Sequence, residues 1–136
     1  MLAALSSDPL DLTAVLSAVS DPACGGQGLF LGIVRDHDED RPVTELSYEA
    51  HPSAAHELHR VCELALQRNG VRHVAVVHRT GVLEVGDVAV IVATSSVHRA
   101  EALEACRWLI DTVKHEVPIW KQQIFADGAH EWVGAC

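Results

Sequence analysis

The chain has no apolar run near the roughly 20 residues that a membrane span requires. Nor does it carry a C-x-x-C pair among its four cysteines, Cys24, Cys62, Cys106 and Cys136. The first absence leaves no segment to cross a bilayer as a helix. The second removes the spacing of a zinc knuckle or a disulfide framework. Cys62 and Cys106 lie inside apolar helical patterns, where cysteine behaves as a small buried hydrophobe. Met1 to Asp11 lacks a basic stretch leading into an apolar core, so no signal peptide is expected and the cytoplasm is the expected compartment. Repeats, linkers and low-complexity segments are missing, as are phosphate-loop and serine-triad signatures. A formal charge of −9 argues against nucleic acid as a partner, because such binding needs a basic surface to neutralise phosphates. A local basic cluster can still hold a small anion.

What is there suits one soluble domain spanning residues 1–136. Of its 136 residues, 49% are hydrophobic and 21% charged, enough to bury a core without staples. Leu10, Leu12, Val15, Leu16 and Val19 fit one face of a helix over residues 9–19. Gly28 to Arg35 reads as a buried strand, residues 36–42 as a polar loop, and Val43 to Ala50 as a second strand, hairpin-paired with the first. After Pro52 a helix runs to about Arg68, turns Leu58, Val61, Cys62, Ala65 and Leu66 inward and stops at Asn69-Gly70. Val71 to Arg79 is a third strand, Val82 to Val85 a short extended piece, and Val88 to Thr94 the most β-like run. A third helix covers roughly Val97 to Glu116, and Ile119 to Phe125 and Glu131 to Val133 form two closing strands. The order predicts an α+β fold, with helices packed on mainly antiparallel strands.

Lys114 and Lys121 flank Pro118-Ile119-Trp120. Lysine can hold a phosphate, exchange protons after a pKa shift or attack a carbonyl, and it can equally be plain surface charge. Lys114 follows Ile110 by four residues and so borders the apolar stripe of the third helix. Alternation points Lys121 away from Trp120. If Ser96 caps the third helix, His98 and Arg99 lie in its first turn. There, free backbone N–H groups and two basic side chains make an anion site, unless the pair points away into solvent. Arg99 and Lys114 are about 22 Å apart along one helix, at 1.5 Å per residue. One chain cannot bring both to one small ligand, so a shared site calls for a second copy. Arg35 pairs most simply with Asp36, Asp38 or Asp40. That acidic run lacks the spaced ligands and glycine of a calcium loop, and His56-x-x-His59 has no second zinc-spaced pair. No metal and no cofactor are expected.

Taken in order, several short motifs resemble the large, catalytic subunit of molybdopterin synthase. They are Phe30-x-Gly32-x-Val34-Arg35, Leu46-x-Tyr48-Glu49-Ala50, Val77-His78-Arg79-x-Gly81-x-Leu83 with Gly86-Asp87, Ser96-x-His98-Arg99, Lys114-x-x-x-Pro118-Ile119-Trp120-Lys121 and Trp132-Val133. The resemblance implies an α/β-hammerhead-like fold and a central homodimer. Each copy would bind a small ubiquitin-like sulfur carrier ending in Gly-Gly, giving a heterotetramer. It also implies the reaction, a transfer of sulfur from the carrier's C-terminal thiocarboxylate to cyclic pyranopterin monophosphate, repeated to build the dithiolene of molybdopterin. Carried over by motif, Lys114 and Lys121 are the catalytic lysines, Arg35, His98 and Arg99 hold the anionic substrate, and Phe30 lines the pocket. Gln122-Gln123 stands where the family commonly has an acidic residue, and His51 replaces a frequent tyrosine. The competing expectation is a non-catalytic module that binds a Gly-Gly tail or an anionic metabolite.

Overall fold

The computed structural model describes residues 1–133; Cys136 lies outside the described residues. The longest element among them is α3 (Arg99–Glu116), and the sheet beneath it is built to receive it. That sheet has the order β1-β5-β7-β2, formed by β1 (Leu2–Ser6), β5 (Val71–Arg79), β7 (Val88–Ser96) and β2 (Gly26–Ile33). Alternate residues of its strands face opposite layers. Val74, Val76, Val90 and Val92 join Leu58, Val61, Leu109 and Val113 in a core with α2 (Ala54–Leu66) and α3. Ala75, Ile91 and Ala93 face the other way, onto Val15 and Val19 of α1 (Leu12–Val19). Cys62 and Cys106 are both buried in the first of these layers, where burial pushes their thiols up to about 12 and about 11.

A second sheet packs at one end. It has the order β3-β4-β8-β9, from β3 (His37–Asp38), β4 (Arg41–Ala50), β8 (Ile119–Phe125) and β9 (His130–Val133), with β6 (Gly81–Glu84) also on β4. A small core of Val34, Leu46, Leu83 and Ala89 joins the two sheets. The fold is therefore α+β and mainly antiparallel, β1–β5 being the one parallel pair among the described residues.

Two expectations are corrected. Val43 to Ala50 does not pair with the first strand: β2 pairs with β7 (Phe30↔Val92), whereas β4 pairs with β8 (Tyr48↔Lys121). The presumed connecting loop forms its own tight hairpin, β3 on the start of β4, with Glu39 and Asp40 at positive φ in the turn. The N-terminal residues, read as preceding a first helix, form strand β1, and α1 starts later, at Leu12, where Asp11 accepts a bond from Ala14 N–H.

The α3–β2 contact is unusually close. A Cβ at Gly28 would lie 2.6 Å from the Ala102 carbonyl oxygen, 2.7 Å from Thr94 Oγ1 and 2.9 Å from Cys106 Cβ. At Gly26 it would meet the Arg99 Cα at 2.8 Å. Glycine here lets the helix lie down on the strand, and Thr94 Oγ1 donates to the Ala102 carbonyl at 2.6 Å across the gap it leaves. Gly28→Ala should destabilise the fold by about 1–3 kcal/mol, the usual cost of overpacking. A thermal melt should show Tm lower by several degrees, and an unchanged Tm would mean the helix is not seated on this strand.

Candidate active site

Because α3 runs along β2 in the same direction, its C-terminal turn reaches the end of the strand, where the two sheets meet. A cavity of about 370 Å³ opens there. Phe30 and Arg35 come to it from β2 and just beyond, Lys114 from α3, and Lys121 from β8. Leu46, Ile110 and Val113 supply apolar wall. Val117 ends the helix with an extended backbone, its N–H still donating to the Val113 carbonyl, and Pro118 leads into β8. Lys121 therefore sits two residues into a strand whose alternation sends Trp120 outward, where it is 41% exposed, and Lys121 into the cavity.

The electrostatics are lopsided. Burial holds the Lys121 ammonium below its ordinary pKa, and the nearby positive charges of Lys114 and Arg35 push the same way; Asp38 opposes them. Asp38 also pairs with Arg35, 3.9 Å away. Tyr48 and His78 meet edge to face at the cavity wall, ring centroids 4.9 Å apart. Gln123, buried on β8, lines the cavity with an Oε1 that has no hydrogen-bond partner among the described residues. A cavity of this kind, with several cations and an apolar and aromatic wall, suits a flat anionic substrate together with a second anionic group.

Of the residues singled out in the sequence, Phe30, Arg35, Lys114 and Lys121 converge on this cavity. His98 and Arg99 do not. His98 stands at the N-cap position of α3 with no side-chain cap bond, and Arg99 is the first helical residue, both exposed at the opposite end of the helix. Ser96 is not the cap; it ends β7 as a buried residue, and its hydroxyl donates to the His98 carbonyl. His51 packs edge-on against Trp120, outside the cavity lining.

Sequence reasoning passed over His78, Tyr48 and Gln123 as site residues. His78 had a signal. It shares strand parity with Val74 and Val76, so it is a titratable residue on the core-facing side of β5.

Known proteins agree with this architecture. A solved structure of molybdopterin synthase from Staphylococcus aureus superposes with a TM-score of 0.88 at 30% identity, covering 96% of this chain and 95% of that one. The molybdopterin synthase catalytic subunit 1 of Mycobacterium tuberculosis is 46% identical over 132 residues, 96% of this chain and 88% of that protein. The corresponding catalytic subunit of Bos taurus is 41% identical, over 93% of this chain and 68% of its own length. With residues 5–116 also matching the family model described as MoaE protein, the chain belongs to the MoaE family of molybdopterin synthase catalytic subunits.

Proposed function

We propose that this chain takes sulfur from the C-terminal thiocarboxylate of a small ubiquitin-like carrier ending in Gly-Gly and gives it to cyclic pyranopterin monophosphate. Two such transfers build the dithiolene of molybdopterin. The observation that carries the reading is the meeting of Arg35, Lys114 and Lys121 in one cavity with an apolar and aromatic wall. The reaction must bring a negative thiocarboxylate against a negatively charged phosphate ester. Without fixed cations the two repel, and in a half-buried site each cation counts for more than it would in water. Phe30 offers a flat face to the pterin, Arg35 a fork for the phosphate, and the two lysines stabilise oxyanion character at the acyl carbon as sulfur departs.

The assembly we propose is a dimer of this chain with one carrier on each copy. His98 and Arg99 bring further positive charge, but to the wrong end of α3 for their own cavity. A twofold axis that sets α3 antiparallel to its partner's α3 would carry them to the other copy's lysines. Support comes from β2, an edge strand beside α3 on which Leu29, Phe30 and Ile33 are exposed.

Reconstitution with a thiocarboxylated carrier and cyclic pyranopterin monophosphate tests the reading. Molybdopterin should form, with carrier returned as the carboxylate. Tight carrier binding with no product, under conditions where a known synthase turns over, would favour the non-catalytic module instead.

A further inference from the structure

The cavity has an excess of proton donors. Arg35, Lys114 and Lys121 donate and do not accept while charged. Sulfur transfer also needs an acceptor. Once the thiocarboxylate sulfur has bonded to the substrate, the carrier's acyl group is still attached to it and must leave to water. Among the polar groups of the wall, burial raises the pKa of the Tyr48 phenol, so it stays protonated at neutral pH. The Gln123 amide is not a base. His37 also keeps Nε2 free, its Nδ1 being held by Asp36 at 2.7 Å, but it is exposed on the short β3 strand, where solvent reaches it, whereas His78 is half-buried in the wall. Asp38, outside the lining, is held by Arg35. His78 remains.

Its geometry suits the task. His78 Nδ1 lies 2.7 Å from the Arg79 carbonyl oxygen, which can only accept, so the ring proton is on Nδ1 and Nε2 carries the lone pair. The edge-to-face contact with Tyr48, at 79° between the ring planes, holds the ring's orientation. No protein group among the described residues bonds to Nε2, although the side chain lines the cavity. We propose that His78 is the proton acceptor of this site, its Nε2 taking a proton from the water that releases the carrier's acyl group from the transferred sulfur. This rests on the sulfur-transfer reading and adds to it a residue and a step.

The step balances without a further reactant. In the adduct R–CO–S–R′, a water oxygen bonds to the acyl carbon while one of its O–H bonds breaks and the proton passes to Nε2. The oxyanion so formed lies among the lysines. Its collapse breaks the C–S bond with the electron pair leaving on sulfur, and the imidazolium returns its proton to that sulfur or to solvent. The carrier departs as a carboxylic acid, which ionises.

A base must be unprotonated to work. Burial holds the His78 pKa below its usual 6.5 and the Lys114 charge adds to this, against the bond to the Arg79 carbonyl, so the ring is neutral at pH 7. The other titratable groups sharing its cavity are Tyr48 on β4, Lys121 on β8, His37 on β3 and Arg35 after β2; β1 and β7 place Leu5 and Val90 beside it.

The test is single turnover of the complete complex with thiocarboxylated carrier, using His78→Asn, which keeps an N–H donor near the Arg79 carbonyl and removes the base. Product formation should fall about 100-fold or more, the usual share of general-base catalysis. Denaturing intact-mass analysis should show the carrier–substrate adduct accumulating, while carrier affinity stays within about twofold. For the wild type, the rate should rise with pH through the His78 pKa, below 6.5, and then level; the variant should lack that limb. A variant with wild-type rate and pH profile would overturn the proposal. So would a slow variant that keeps the limb and accumulates no adduct. If His78→Asn does not fold, His78→Gln replaces it, and the same rate, adduct and pH-profile readouts decide the proposal. Absence of product from the wild type would instead count against the sulfur-transfer reading itself.

Discussion

Lys121→Met should lower sulfur transfer by about 100-fold or more, the scale set by removing one preorganised charge or donor from a developing oxyanion, without lowering the melting temperature. The two halves of that expectation come from one fact. The folded environment holds the Lys121 pKa down, chiefly through burial and then through Lys114 and Arg35. A lysine whose pKa is depressed on folding binds its proton less tightly in the native state than in the unfolded one. Its charged form therefore destabilises the fold at every pH below the folded pKa, and that penalty disappears only as pH rises past the unfolded value of about 10.4. Methionine keeps the stem and removes the charge, so the variant should melt no earlier than the parent. Lys114→Ala should show a loss of similar size, since Lys114 reaches the same cavity from α3. Single-turnover rates beside thermal melts would check both variants. Full activity in either would return that lysine to surface charge, and a collapsed melt for Lys121→Met would make its role structural.

The site was more legible in the sequence than the connectivity that builds it. Lys114 declared its place through the α3 stripe, because Ile110 and Val113 are buried and a residue four beyond Ile110 must border them. Lys121 followed from strand alternation against Trp120. What failed was non-local. Nothing in Leu2–Ser6 announces a strand, since a run of five residues acquires that role only by lying parallel to Ala75–Arg79, some seventy positions away. The expected hairpin between β2 and β4 failed because the acidic loop supplies a turn of its own without glycine, Glu39 and Asp40 taking the left-handed conformation. β2 was then free to pair with β7, and that pairing, with Gly26 and Gly28 beneath the helix, aims α3 at the cavity. His78 went unnoticed as a site residue because its motif reads as strand sequence; its significance appears only when Tyr48 and the two lysines are seen around it.

Arg99→Ala and Lys114→Ala should each be nearly inactive alone and recover activity when the two chains are co-expressed. Fifteen residues of α3 separate these positions, about 22 Å of helix, and Arg99 is exposed at the end away from its own cavity. If substrate is held by both, the arginine comes from a second copy. A mixed dimer then contains one site carrying both substitutions and one site carrying neither. Random association makes about half of all dimers mixed, so about one quarter of all sites should be intact, in a twofold assembly with two equivalent sites. Co-expression with two different affinity tags, followed by tandem purification, isolates the mixed dimers, and these should show about half the wild-type rate per dimer by the same count. If Arg99 acted on its own chain's cavity, both sites of the mixed dimer would be damaged and the rate would stay at the level of the single variants. The comparison is internal to one preparation and needs no assumption about how much either residue contributes. It therefore separates a site shared between copies from a merely dimeric enzyme, in which the second copy supplies stability and no side chain.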